Sequence, residues 1–158
     1  MKGSAKVIKE LGEALSAELT AINQYIVHAE MCENWGYGKL AGHIKKEAID
    51  EMKHAEKLIE RIIYFDAVPD VSKYFKIRIG KKVEEQIKND LKLEENAVVR
   101  LNKAIAICVA EADNGSRELL EGILMDEEEH VDGLEAQLDQ IKQMGIQNFL
   151  AMQVIEEA

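Results

Sequence analysis

Two short segments of this sequence carry residue types that bind metal ions. Glu51-Met52-Lys53-His54 and Glu127-Glu128-Glu129-His130 each set a carboxylate and an imidazole three residues apart. On an α-helix that spacing puts both side chains on one face, a turn apart, where they can share an ion. Their surroundings sharpen the signal. Glu51 lies on the apolar stripe Ile44, Ala48, Ala55, Leu58, Ile62, Phe65, and Glu127 on the stripe Leu120, Ile123, Leu134, Leu138, Ile141. Glu18, spaced from Leu11, Leu15 and Ile22, and Glu94, one turn after Leu91, also occupy core positions. Four acids thus stand where leucine is expected. A buried carboxylate is costly unless it is paired or binds a metal. Two histidines cannot neutralise four carboxylates, and no Lys or Arg shares those stripes at matching depth; two divalent cations would balance them. Mixed carboxylate and imidazole donors suit iron or manganese better than a structural zinc, which prefers thiolates.

The elements that must position these residues read as helices. The 158 residues suit one domain spanning 1–158. A 47% hydrophobic and 32% charged composition, one proline and an apolar period near 3.6 indicate an all-α protein. The first helix is expected from about Ser4, a plausible N-cap, to Asn34, with the stripe Ile8, Leu11, Leu15, Leu19, Ile22, Ile26, Ala29. Gly36 and Gly38 mark a turn. The second helix runs from about Lys39 to Phe65. From Asp66 to Gly80 the period is lost, and the stretch holds the only proline, Pro69. It is long enough to cross the length of a bundle, which would set the third helix parallel to the second. The third helix runs from about Lys82 to Asp113, the fourth from about Ser116 to Met144, and a short fifth covers Asn148 to Glu157. The fold class is therefore a four-helix bundle with a long crossover between helices 2 and 3 and a short C-terminal helix. Its acids follow the order Glu, Glu-x-x-His, Glu, Glu-x-x-His, which matches a carboxylate-bridged di-metal bundle.

Composition narrows the function further. A formal net charge of −10 argues against sequence-independent nucleic-acid binding and fits attraction of cations. Cys32 and Cys108 stand far apart without a CxxC partner and read as reduced thiols. No signal peptide or membrane span is legible, so a cytoplasmic location is expected. Glu47, Asp50, Glu56, Glu128 and Glu129 read as solvated charges. His28 reads as an exposed or interface residue and His43 as a surface group. Tyr25, a heptad beyond Glu18, either fills core or hydrogen-bonds a ligand such as Glu94. Met52 points roughly 100° away from Glu51 around the helix. It is either an apolar contact between subunits or a thioether ligand that, with its two-fold copy, would clamp a haem iron.

The wording of the chain resembles the bacterioferritins, the haem-containing branch of the ferritins, nearly end to end. The resemblance rests on MKGSAKVIKELGEALSAELTAINQYIVHAEM, IDEMKHAEKLIERI, DEEEH and QMGIQNFLAMQVIEEA. It implies a ferritin-like bundle with Glu18, Glu51, His54, Glu94, Glu127 and His130 as ligands of a catalytic di-iron centre, Glu51 and Glu127 bridging. It places the family's haem-ligating methionine at Met52, for haem b or a related haem, and a tyrosine near the centre at Tyr25. It also implies a homo-oligomeric shell of 24 subunits built from two-fold dimers. That shell would oxidise Fe(II) with O2 or H2O2, store ferric mineral, and release iron with electrons from a ferredoxin-type donor. Asp66, Asp132 and Asp139 are candidate channel acids. Departures exist. Some members form an inner-surface iron site from a His and an Asp; here Asp50 is present, but Lys46 stands at the His position. Where some place aromatic residues near the centre, this chain has Leu58 and Gly133.

The main alternative is a di-iron peroxidase or oxidase of the rubrerythrin type without mineral storage. Such proteins commonly add a module with paired CxxC motifs, which this chain lacks. The DNA-protecting ferritin class builds its metal site between subunits, and net charge disfavours DNA contact. A purely structural bundle would leave the four seam acids without iron.

Overall fold

A computed structural model describes residues 1–154. It contains α1 (Ala5–Asn34), α2 (Gly38–Tyr64), α3 (Val83–Ala110), α4 (Asn114–Met144) and α5 (Ile146–Gln153). No strand occurs among the described residues. The expected bundle, long crossover and short last helix are all present. The expected end of the last helix, at Glu157, lies outside the described residues.

Local chemistry sets the helix ends. Ser4 occupies the N-cap of α1 in extended conformation, but its hydroxyl makes no capping bond. The boundary between α3 and α4 falls earlier than expected. Ala112 adopts a φ of 53°, which stops α3 before Asp113. The Asp113 carboxylate then accepts the Ser116 N–H and caps α4. Asn114, Gly115 and Ser116 thus form the first turn of α4, which begins two residues before the expected Ser116. Arg61 clips this corner to the end of α2: its Nη2 donates to Asp113 Oδ1 and its Nε to Ser116 Oγ, both at 3.0 Å. A Cβ on Gly115 would sit 2.6 Å from that guanidinium.

The crossover is an ordered strap held by side chains of α1. Thr20 Oγ1 accepts the Phe75 N–H, Gln24 Oε1 that of Arg78, and His28 Nε2 that of Gly80, at 2.9, 3.0 and 3.0 Å. Residues four apart on α1 therefore satisfy successive strap amides that no ladder reaches. The strap follows α1 from its N-terminal to its C-terminal end. There the start of α3 meets α1, with Asp90 beside His28 and, a turn further along, Glu94 beside Tyr25. Hence α3 is antiparallel to α1 and parallel to α2, as the crossover length predicted.

His28 is a correction: it is fully buried between Asp90 and the strap, not exposed or at an interface. Because Nε2 accepts the Gly80 N–H, Nδ1 carries the hydrogen donated to Asp90. Glu47 is also buried, with His43 Nε2 3.0 Å from it, rather than solvated. The apolar stripe of α1 divides. Leu11, Leu15 and Ala29 are core, whereas Leu19 and Ile22 are partly covered and Ile26 is 47% exposed. The core itself has two parts. One gathers Val7, Leu11, Leu15, Leu58, Ile62, Leu101, Leu120 and Ile123. The other gathers Tyr25, Ala29, Ile44, Ala48, Ile87, Leu134, Ile141 and Phe149. Between them lies the polar seam.

Candidate metal centre

All four long helices send one or two donors into the seam: Glu18 from α1, Glu51 and His54 from α2, Glu94 from α3, Glu127 and His130 from α4. All six are buried. They form two groups in which the donor atoms lie within 4.8 Å of one another: Glu18, Glu51, His54 and Glu127, and then Glu51, Glu94, Glu127 and His130. Glu51 and Glu127 belong to both. Each histidine turns Nδ1 inward. His54 Nδ1 lies 3.1 Å from Glu127 Oε1 and 3.6 Å from Glu18 Oε2; His130 Nδ1 lies 3.0 Å from Glu51 Oε1 and 3.6 Å from Glu94 Oε1.

These contacts converge without satisfying one another. Glu18 Oε2, both oxygens of Glu51, Glu94 Oε2, Glu127 Oε1 and both inward Nδ1 atoms are buried with no hydrogen-bond partner. Buried polar atoms are ordinarily bonded, so seven such atoms around one point form a site that could hold cations. The donors fit hard to borderline divalent metal, with one imidazole per group and oxygen otherwise. Without metal, protons carry the positive charge. Burial, then the charges of Glu51 and Glu127, pushes Glu18 well above the usual carboxylate range. Burial and Glu127 do the same to Glu94, and burial raises Glu127. Burial and Glu94 oppose the charge of Glu51, but its close polar contacts with Glu18, His130 and His54 outweigh them and hold it low. Burial also opposes charge on both histidines, yet the surrounding glutamates win: His130 is pushed up to about 12, and His54 is strongly raised as well.

The surroundings hold residues that spacing alone did not single out. His54 Nε2, on the outward side of the ring, lies 2.8 Å from Asp126 Oδ2 on α4. His130 Nε2 lies 3.7 Å from Asp50 Oδ2 on α2, beyond hydrogen-bond range. Each acid directly precedes a seam glutamate, and each reaches across to the other helix's histidine. The signal was the repeated Asp-Glu-x-x-His. Tyr25 fills the second core and also donates a hydrogen bond to Glu94 Oε1, so both readings of it hold. Met52 is 45% exposed, off the seam on the outer face of α2, with Ile49 exposed nearby in sequence. Glu128 and Glu129 face solvent as expected. Among the candidate channel acids, Asp66 pairs with the Met1 ammonium at 2.8 Å, Asp139 accepts from Gln143, and Asp132 is exposed.

Comparison with known proteins agrees with this geometry. Residues 8–144 match the Ferritin family, described as a ferritin-like domain. The chain is 41% identical to a bacterioferritin of Mycolicibacterium paratuberculosis over 96% of its length and 95% of that protein's. It belongs to the bacterioferritin family. A bacterioferritin of Streptomyces coelicolor is 43% identical over 99% of this chain and 93% of its own. A bacterial ferritin of Synechocystis is 43% identical over 98% and 99%. These near full-length matches include all four helices that carry the seam. For this bacterioferritin-family chain, no helix among the described residues is long and apolar enough to cross a membrane.

Proposed function

We propose that this chain stores and detoxifies iron. It is read as one ferritin-like domain over 1–158 that oxidises Fe(II) at the seam and deposits ferric mineral in a cytoplasmic shell of 24 copies. The observation that carries this reading is the pair of donor groups sharing Glu51 and Glu127. Glu18 and His54 would bind one Fe(II), Glu94 and His130 the second, and Glu51 and Glu127 would bridge them. Iron here is the substrate: two Fe(II) supply two electrons to O2, giving H2O2, or to H2O2, giving water. The chain holds the two ions side by side so that both electrons leave together. Asp126, bonded to the outer nitrogen of His54, keeps that ring's Nδ1 aimed at the ion. Tyr25 does the equivalent for Glu94.

Haem belongs to this proposal through Met52. Its thioether stands half exposed, and Ile26 and Ile49 on the same helix pair are likewise open. A two-fold partner covering this face would bring a second Met52 opposite the first, giving haem iron two thioether ligands. The haem would pass electrons from a ferredoxin-type donor to the mineral during release.

The test is aerobic Fe(II) loading at hundreds of irons per assembly, followed by size-exclusion chromatography with iron and haem absorbance. Ferric iron co-eluting in quantity with a particle of several hundred kilodaltons is expected. Uptake ending near two irons per subunit on a small particle would favour a rubrerythrin-like peroxidase instead.

A further inference from the structure

A second site of opposite charge lies on the other side of α1. Between α1, α3 and the strap is a crevice of about 230 Å³ whose lining includes Lys76, Arg78 and Arg100 and no Asp or Glu. In a chain with ten more acids than bases, three cations and no carboxylate in one crevice is unexpected. Among the described residues, none of the three has an ion-pair partner within 4 Å.

The Arg100 side chain and the Arg78 backbone are held in place. The Arg100 guanidinium stacks over the Phe75 ring, its central carbon 3.8 Å from the centroid. Stacking fixes the plane of the group and leaves its in-plane N–H donors free. Arg78 is anchored through its backbone, since its N–H donates to Gln24 Oε1 and its carbonyl accepts from Asn89 Nδ2. Asn89 and Asn96 line the same crevice.

We propose that this crevice binds a small tetrahedral oxyanion of the phosphate class, gripped by Arg78 and Arg100 with Lys76 adding charge. Guanidinium forks match phosphate oxygens in pairs, which chloride cannot exploit. The volume falls below the roughly 300–1,000 Å³ typical of larger organic ligands. Phe75 is the one aromatic residue of the lining, and Arg100 occupies a face of its ring, which leaves little room for a nucleobase to stack. The site shares no residue with the metal seam and does not depend on its assignment.

The experiment is calorimetric titration of inorganic phosphate into the iron-free assembled protein at low ionic strength, with Arg78→Gln, Arg100→Gln and Arg100→Lys alongside. Removing iron eliminates binding by mineral. Saturable binding of one phosphate per subunit is expected, roughly tenfold weaker in each variant because each removes charge-assisted hydrogen bonds. Arg78→Gln leaves both strap backbone bonds in place, so its loss cannot be ascribed to unfolding; Arg100→Lys keeps the charge and tests the fork. Absence of saturable binding overturns the proposal, as does unchanged affinity in both glutamine variants. Loss in only one of them overturns the two-arginine site. Equal displacement by chloride at the same concentration means a general ion atmosphere and also overturns it.

Discussion

At the scale of single residues, the seam is a set of charges that cancel only when something cationic joins them. Removing one member separates function from stability. Glu127→Ala takes away an acid shared by both donor groups, so Fe(II) oxidation in stopped flow should slow by more than about tenfold, beyond the cost of losing an outer partner alone. The metal-free melting temperature should stay within a few degrees, because a raised buried acid leaves with its burial cost while its side chain leaves a small cavity. Unchanged oxidation in that variant would refute the site. The protons give a second prediction. Glu18 and Glu94 are raised, so the stability they lend the metal-free protein is complete below the ordinary carboxylate pKa and is lost as pH rises through their elevated values. His130, raised to about 12, contributes in full below the ordinary histidine range, retains most of that near neutrality and loses the rest as pH climbs toward the raised value. Incoming ions must therefore displace protons. Calorimetry in buffers of different ionisation heat should register about two or more protons released per pair of ions, and affinity should climb with pH. Heats independent of buffer would contradict this. The four seam acids were legible because a buried acid shows as an acid on an apolar stripe, and the two histidines because each stands three residues after one of them. Asp126 was not, because its partner His54 lies on another helix, 72 positions away.

At the scale of elements, helix identity and the span of the crossover were legible, and the bonds that hold the strap were not. Helices announce themselves by period, whereas the strap is held by Thr20, Gln24 and His28, whose bonds go to backbone amides some 50 residues distant. That long-range pairing leaves no local pattern, and it is why His28 read as exposed. The clearest probe is Gly80→Ala. A Cβ there would meet the Gln86 backbone nitrogen at 2.5 Å and its Cα at 2.8 Å. Backbone cannot yield as a flexible side chain does, so a loss of about 1–3 kcal/mol is expected. Hydrogen exchange should quicken at the Phe75, Arg78 and Gly80 amides while amides in the middle of α2 and α4 stay protected. Uniform acceleration across the bundle would show that the strap is not a separable unit.

At the scale of the whole molecule, a helical wheel cannot distinguish a face buried in the core from one waiting for another subunit. Leu19, Ile22 and Ile26 continued the α1 stripe in sequence, yet only its inner members are core. Met52 shares that ambiguity, and Met52→Leu resolves it. The haem absorbance band should disappear while the initial rate of Fe(II) oxidation stays within about twofold, since the thioether lies off the seam. An unaltered haem spectrum would remove Met52 from that role. The division of the core into two apolar bodies has a further consequence. Each grips all four long helices, one near either end of the bundle, and the layer between them holds the helices by polar contacts rather than by apolar packing. The protein resembles a span carried on two piers. Under the proposed function, cargo would be exchanged at midspan, between supports whose apolar packing does not include the ligands.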